Sequence, residues 1–323
     1  MTLLVVPTVQ PSATNTFIPC GQTAGDVDPA RINKDAEVYI TTTTPPYKLC
    51  LRQKQLLDRE VAMKGRWKDC DVLRDLMPAE KANTRQTLFV DVGANIGSCS
   101  MMMASLGHRV ISFEPTPPTF IALSAALAAN APNPSWDVRL VNAGVSNASG
   151  AANIVTQPGN AGGALTTGVR GSSDNSSRKS GLHESAYRPE YRRFAITDDW
   201  QSYRIWLTTL DEAVHEHVDL MKMDCQGHEL RALLGARKLL SGPGVQVIKF
   251  EFYPPGIRQV GDDPMALLRF FDEAGYDLYH GNKILPPASF STFYHQVSGT
   301  KAGFTDIVAR WRDRSKGPYV HRA

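Results

Sequence analysis

The side chains able to do chemistry gather in four short strings. In the first, Asp91-Val92-Gly93-Ala94-Asn95-Ile96-Gly97, an acid is followed by small residues that let a ligand lie close to the backbone. A nicotinamide-binding turn would need glycine at 93, 95 and 98; Asn95 and Ser98 stand there instead, and no Gly-Lys-Ser/Thr follows to make a phosphate loop. The second is Glu114, about twenty residues on, where a carboxylate can accept hydrogen bonds from both hydroxyls of a ribose or stand as an ordinary acid at a strand end. The third is Asn142-Ala143, whose amide could reach a purine edge or only shape a turn. The fourth, Lys222-Met223-Asp224-Cys225-Gln226-Gly227-His228-Glu229-Leu230, brings Asp224, His228 and Glu229 within six positions.

The surrounding elements put these strings on one edge. Leu88-Phe89-Val90-Asp91-Val92, Arg109 to Glu114, Val138 to Val141, Val218 to Asp224 and Val245 to Phe252 read as short, apolar, buried strands. Helices are expected at Ile96–Leu106, Pro118–Asn130, Glu229–Leu240 and Pro264–Ala274. Strands alternating with helices make a parallel sheet, and such sheets bind ligands at their carboxyl edge. All four strings follow a strand on that edge, as does Glu251. Two closing strands are expected near Tyr276–Tyr279 and Phe304–Ala309, with no clear helix between them. The rhythm breaks over about 157–202, a Gly-, Ser- and Asn-rich insertion. Asn160, Gly162 and Gly163 open it and are expected to form a lip over a substrate.

Residues 1–36 read as a flexible tail, 37–86 as a helical or mixed lead-in packing on the core, 87–312 as the main domain and 313–323 as a basic tail. The chain has 323 residues, 42% of them hydrophobic, which excludes a disordered chain. Its 35 basic and 32 acidic residues nearly balance, giving no electrostatic case for nucleic acid or a membrane surface. No run of apolar residues is long enough to span a membrane. The apolar start at Met1 stops at Pro7 and lacks a basic flank, unlike a signal peptide. Cys20, Cys50, Cys70, Cys99 and Cys225 form no Cys-x-x-Cys pair, so they read as reduced thiols in a cytoplasmic protein without a cysteine zinc site. His215-Glu216-His217 lacks a third ligand, so no metal is expected.

Taken together, Phe89-Val90-Asp91-Val92-Gly93-Ala94-Asn95-Ile96-Gly97, Phe113-Glu114-Pro115, Leu207-Thr208-Thr209-Leu210-Asp211 and Lys222 to Glu229 resemble the FkbM family of S-adenosylmethionine-dependent methyltransferases. The resemblance covers about 85–260, with compatible strands to about 310. It implies an α/β class I methyltransferase (Rossmann-like) fold, a seven-stranded, mostly parallel sheet with the last strand antiparallel. It also implies that Asp91, Gly93, Asn95, Glu114, Asn142 and Asp224 surround S-adenosylmethionine, with Ala94, Gly97 and Ala143 in the same strings. The implied reaction is O-methylation of a hydroxyl on a sugar or natural-product-like acceptor, a small molecule or a glycan.

An alcohol becomes a good nucleophile only as its proton leaves, so a positioned base is expected. Asp224 and Glu229 come first for that role, then His228, whose ordinary pKa lies near neutrality, then Glu251. Glu229 can equally serve as a favourable charge at a helix start, and Asp224 as a partner for the cofactor's amino group. Two alternatives remain open: a nicotinamide-dependent oxidoreductase, and a non-catalytic cofactor-binding module of the same fold. Oligomeric state is not legible.

Overall fold

A computed structural model describes residues 36–52, 55–78, 86–131, 135–157, 159–167 and 201–312. The lead-in is a hairpin, β1 (Ala36–Ile40) and β2 (Lys48–Arg52), followed by α1 (Leu56–Lys64), a 3-10 turn at Lys68–Cys70 and α2 (Asp71–Leu76). It is bolted to the main domain. Arg52 is buried and binds the Asp58 carboxylate through its backbone N–H (2.6 Å) and Nε (2.9 Å), while its Nη1 donates to Thr119 Oγ1 at 3.1 Å. Cys70 is joined to Cys99 by a disulfide. The expectation of reduced thiols is therefore corrected: Cys50 is disulfide-bonded as well, and Cys225 is the free thiol among the described residues. Disulfides persist in oxidising compartments, so the cysteine argument for a cytoplasmic chain gives way.

The main domain begins with β3 (Leu88–Val92), α3 (Ser98–Ser105), β4 (Arg109–Phe113), α4 (Pro117–Asn130) and β5 (Val138–Val141). β3 is buried at all five positions. Leu88, Val90 and Val92 enter the core on one face of the sheet and Phe89 that on the other, the alternation a two-sided strand requires. α4 starts on two prolines, where no backbone donor is lost.

A second, small sheet then leaves the main one. It contains β6 (Gly144–Val145), β7 (Gly150–Gln157), β8 (Asn160–Thr167) and β9 (Gln201–Thr208), in the order β6-β9-β7-β8. Asn160, Gly162 and Gly163 thus lie on a strand paired with β7, not in a loop. The Ser-rich middle of the insertion lies outside the described residues, as do the tails 1–35 and 313–323.

After the short helix α5 (Leu210–Ala213), the main sheet resumes with β10 (Val218–Met223). The helix expected over 229–240 is two helices, α6 (Glu229–Leu234) and α7 (Arg237–Ser241). At Gly235, between them, a Cβ would sit 2.1 Å from the Ser146 carbonyl oxygen. Asp211 caps the second helix, accepting from the Lys238 and Leu239 N–H groups at 3.1 and 2.8 Å.

The chain continues through β11 (Val245–Phe252), α8 (Pro254–Gln259), α9 (Pro264–Glu273), β12 (Tyr276–His280), β13 (Lys283–Leu285), α10 (Phe290–Ser298) and β14 (Thr305–Trp311). The absence of a helix between the closing strands is corrected by α10. Its Phe290, Phe293 and Val297 are buried at helical spacing, but the run is short.

The main sheet runs β13-β12-β14-β11-β10-β3-β4-β5. β5, β4, β3, β10 and β11 are parallel, and β14 is inserted antiparallel between β11 and β12. This is the class I methyltransferase arrangement with an eighth strand, β13, added as a hairpin at the edge. Among the described residues, no helix is long and apolar enough to cross a membrane.

Candidate functional site

The parallel strands end together, and the strand order reverses between β3 and β10. A crevice opens at such a point because the connections leave in opposite directions. It is lined by Gly93 and Asn95 after β3, Glu114 to Thr116 after β4, Ala143 to Val145 after β5, and Asp224, Cys225, Gln226 and His228 after β10. The small sheet closes one side with Ile154, Ile205 and Leu207.

The first turn is fixed from two sides. Gly93 and Ala94 both donate to the Phe113 carbonyl, and Asp224 N donates to the Val92 carbonyl. Gly93 has φ +81°, and a Cβ there would meet the Asp224 carbonyl oxygen at 2.0 Å, so only glycine fits. Below the turn, buried Lys222 donates to the Gly93 carbonyl at 2.9 Å and lies 3.3 Å from Asp91 Oδ1 and 3.7 Å from Asp224 Oδ2. Burial opposes the ammonium charge, but Asp91 and Asp224 outweigh it and hold Lys222 protonated. Asp91 also accepts from Ser100 Oγ at 2.6 Å and is fully buried.

Glu114 is 6% exposed and lines the crevice. Its Oε2 accepts from the Asn95 N–H at 3.0 Å and its Oε1 from the Thr116 N–H at 2.8 Å. Burial pushes its pKa up, and the Thr116 N–H and hydroxyl, the Asn95 N–H and Arg52 pull the other way. Asn95 Oδ1 is buried with no partner, and Asn95 itself sits in the left-handed region at φ +52°. Strained backbone of this kind clusters at ligand-binding sites.

The other sequence candidates separate. Asp224 lines the crevice and accepts from Gln226 Nε2 at 2.9 Å. His228 lines it too; burial and then Arg231 lower its pKa to about 4, so the ring is neutral at physiological pH. Glu229 does not line it. It is fully buried, and its Oε1 accepts from the Cys225 N–H at 3.0 Å, which pins the loop that starts α6. Burial and Asp224 raise its pKa to about 7, and its Oε2 has no partner.

Glu251 stands behind Gln226, accepting from its Nε2 at 3.2 Å; burial and the nearby Asp224, Glu229 and Asp306 raise its pKa to about 9. Asp91, Ala94 and Gly97 shape the turn without facing the crevice. Asn142 turns away and ties the backbone together, donating to the carbonyls of Glu114 (2.8 Å) and Pro115 (3.3 Å). Ala143 does line the crevice. Asn160, Gly162 and Gly163 belong to the outer strand of the small sheet. No metal-holding group of His, Cys, Asp and Glu occurs among the described residues.

The sequence reading passed over Gln226 and Lys222, which stood inside the string it quoted, and over the apolar wall of Ile154, Ile205 and Leu207. The wall had no sequence signal, because β7 and β9 meet across the insertion.

Fold and crevice together define a class I methyltransferase architecture. The sequence matches the family model of the methyltransferase FkbM domain over residues 91–278, more than half of the chain, and the protein belongs to that family. No protein of curated function matches it. Among solved structures it is similar to methyltransferase FkbM from Methylobacillus flagellatus KT, with 15% identity over 71% of this chain and 45% of that one and a TM-score of 0.37. The chain therefore spans less than half the length of that protein. It is also similar to magnesium protoporphyrin IX methyltransferase from Synechocystis PCC 6803 with bound SAH (11% identity, 80% of this chain, 83% of that chain, TM-score 0.35). A third is human methyltransferase 10 domain containing protein (8% identity, 76% and 81% of the two chains, TM-score 0.36).

Proposed function

We propose that this chain is an S-adenosylmethionine-dependent methyltransferase that methylates a hydroxyl of a sugar or natural-product-like acceptor, a small molecule or a glycan. The observation that carries the reading is Glu114, a carboxylate anchored by two backbone N–H groups, on the crevice at the carboxyl edge of the sheet. Its neighbours suit the rest of a nucleoside. Val145, Ile154, Ile205 and Leu207 make an apolar slot for a purine, and the unpartnered Asn95 Oδ1 can accept from a cofactor donor. Asp91 and Lys222 hold the turn from beneath, and Asn142 holds the Glu114 backbone.

When bound, the cofactor supplies a methyl group on a sulfonium, which already carries its leaving group. The protein's task is to hold the acceptor oxygen in line and to take its proton, and positioning of this kind is worth roughly 7–11 kcal/mol. Asp224 is the carboxylate best placed for the proton, since it lines the crevice whereas Glu229 is enclosed and Glu251 lies behind Gln226. His228, held neutral and weakly basic, suits hydrogen bonding to the acceptor better than proton removal.

The test is incubation of the full chain with methyl-labelled S-adenosylmethionine and a panel of sugars, glycans and polyketide alcohols, read by mass spectrometry. A gain of one labelled methyl on oxygen supports the reading. Labelling on nitrogen or carbon alone would replace the acceptor class. Thermal stabilisation by NAD and not by S-adenosylhomocysteine would replace the cofactor.

A further inference from the structure

Gln226 stands between the two carboxyl groups that follow or end neighbouring strands. Its Nε2 donates to Asp224 Oδ1 at 2.9 Å and to Glu251 Oε2 at 3.2 Å, so one amide serves both acids. Its backbone is in the left-handed region at φ +53°, which among described non-glycine residues is shared only with Asn95. Such a conformation is strained and persists where the surroundings over-determine it. Here they do. Gly227, at φ +99°, lies against the first turn of α8, where a Cβ would sit 2.3 Å from the Gly256 carbonyl carbon. A Cβ on Gly256 would in turn sit 2.4 Å from the Tyr253 ring and 3.1 Å from the Gln226 carbonyl oxygen. Two glycines thus press the loop into the one shape that aims this side chain at both acids.

We propose that Gln226 is a positioning residue of the transfer reaction: its carboxamide couples Asp224 and Glu251 into one unit and holds the Asp224 carboxylate at the crevice. The inference rests on the reading of that crevice as the methyl-transfer site. Without the amide, Asp224 and Glu251 each lose a hydrogen-bond donor, and the Asp224 carboxylate loses the contact that fixes it at the crevice. With it, both acids share one donor, and Glu251, raised to about 9 by burial and its acidic neighbours, keeps its proton. The charged and titratable groups around Asp224 are Lys222, Cys225, Glu229, Glu251 and, from the lead-in, Asp69. Those around Glu251 are Asp224, Glu229, Lys222, Tyr253 and Asp306 of β14.

The experiment compares wild type, Gln226→Leu, which keeps the bulk without the donors, and Gln226→Asn, which tolerates the left-handed backbone but reaches at most one acid. Carboxyl carbon NMR follows Glu251 through a pH titration, with Glu251→Gln as the assignment control. S-Adenosylhomocysteine affinity is measured alongside, and turnover on the acceptor found in the labelling screen. In Gln226→Leu the Glu251 carboxyl, having lost a donor, should titrate above its wild-type value of about 9. kcat should fall by ~10-fold or more while the KM for the acceptor stays within ~2-fold. Affinity for S-adenosylhomocysteine should stay within ~2-fold.

Gln226→Asn should lie between wild type and Gln226→Leu in kcat and leave the fold intact. An unmoved Glu251 titration and an unchanged kcat in Gln226→Leu, with cofactor affinity retained, would overturn the inference alone. A parallel loss of cofactor affinity would make Gln226 a cofactor contact and overturn it as well. Wild type that binds no S-adenosylhomocysteine would instead sink the functional reading beneath it.

Discussion

Glu114 and Glu229 are both buried glutamates, 6% and 0% exposed, and their surroundings give them different tasks. Glu114 is held by two backbone N–H groups at a crevice, so its charge has partners and a ligand can share it. Hydrogen bonds to a charged group are worth about 1.5–3 kcal/mol. Glu114→Ala should therefore weaken S-adenosylhomocysteine binding by ~10- to 100-fold, measured by calorimetry, with the circular dichroism spectrum unchanged.

Glu229 is bonded by its own N–H and by Cys225 but keeps one unpartnered, buried oxygen, and folding favours its protonated form. Its pKa rises from the ordinary 4.5 to about 7 in the folded chain. An unfolded chain releases this proton first as pH rises, so the group's contribution falls between about pH 4.5 and 7. Glu229→Gln should match wild type near pH 4 and exceed it above pH 7, by at most ~3 kcal/mol, in denaturant titrations at the two pH values. Equal stability at both pH values would show that the carboxyl is not desolvated.

At the scale of elements, the glycine turn after β3 and the loop after β10 are a single construction. Asp224 N meets the Val92 carbonyl, Lys222 bridges Asp91, Gly93 and Asp224, and Gly93 has no room for a side chain. Gly93→Ala should destabilise by ~2 kcal/mol or more, seen as a drop in the denaturation midpoint, since the left-handed backbone is strained on top of the clash. Retained stability would mean that the two loops move independently.

What was legible in the sequence follows the same division. The buried strands could be read because a two-sided parallel strand leaves an unbroken apolar run, and the acids at their ends fell on one edge by direction alone. Which acid faces the crevice could not be read. Asp91 and Asp224 both terminate strands, yet one is enclosed beneath the turn and the other lines the opening. At the break between α6 and α7, Gly235 lies against Ser146, far away in sequence, with no room for a side chain. The glycines at 162 and 163 looked like a loop because a strand with so few side chains has no alternation to show, and its place comes from pairing with β7.

Across the whole molecule, the lead-in and the site are mechanically linked. Cys99 lies in the first turn of α3, just after the glycine turn, and its disulfide runs to the 3-10 turn that also carries Asp69. The bridge closes a sequence separation of 29 residues. A loop of that size contributes ~2–4 kcal/mol in the chain-entropy picture. Cys70→Ser should lose about that much in chemical denaturation, and added reductant, which also opens the Cys50 bridge, should lower the wild-type midpoint at least as far. A wild-type midpoint indifferent to reductant would show the bridge to be absent in solution.

The central claim is a nucleoside sulfonium site pinned by Glu114. Its most direct measurement is calorimetric titration of the full chain with S-adenosylhomocysteine, beside the Glu114→Ala variant and a parallel titration with NAD. Saturable one-to-one binding of S-adenosylhomocysteine to wild type, much weakened in the variant and without heat from NAD, is the expected result. No binding of S-adenosylhomocysteine, or binding that Glu114→Ala leaves unchanged, would contradict it.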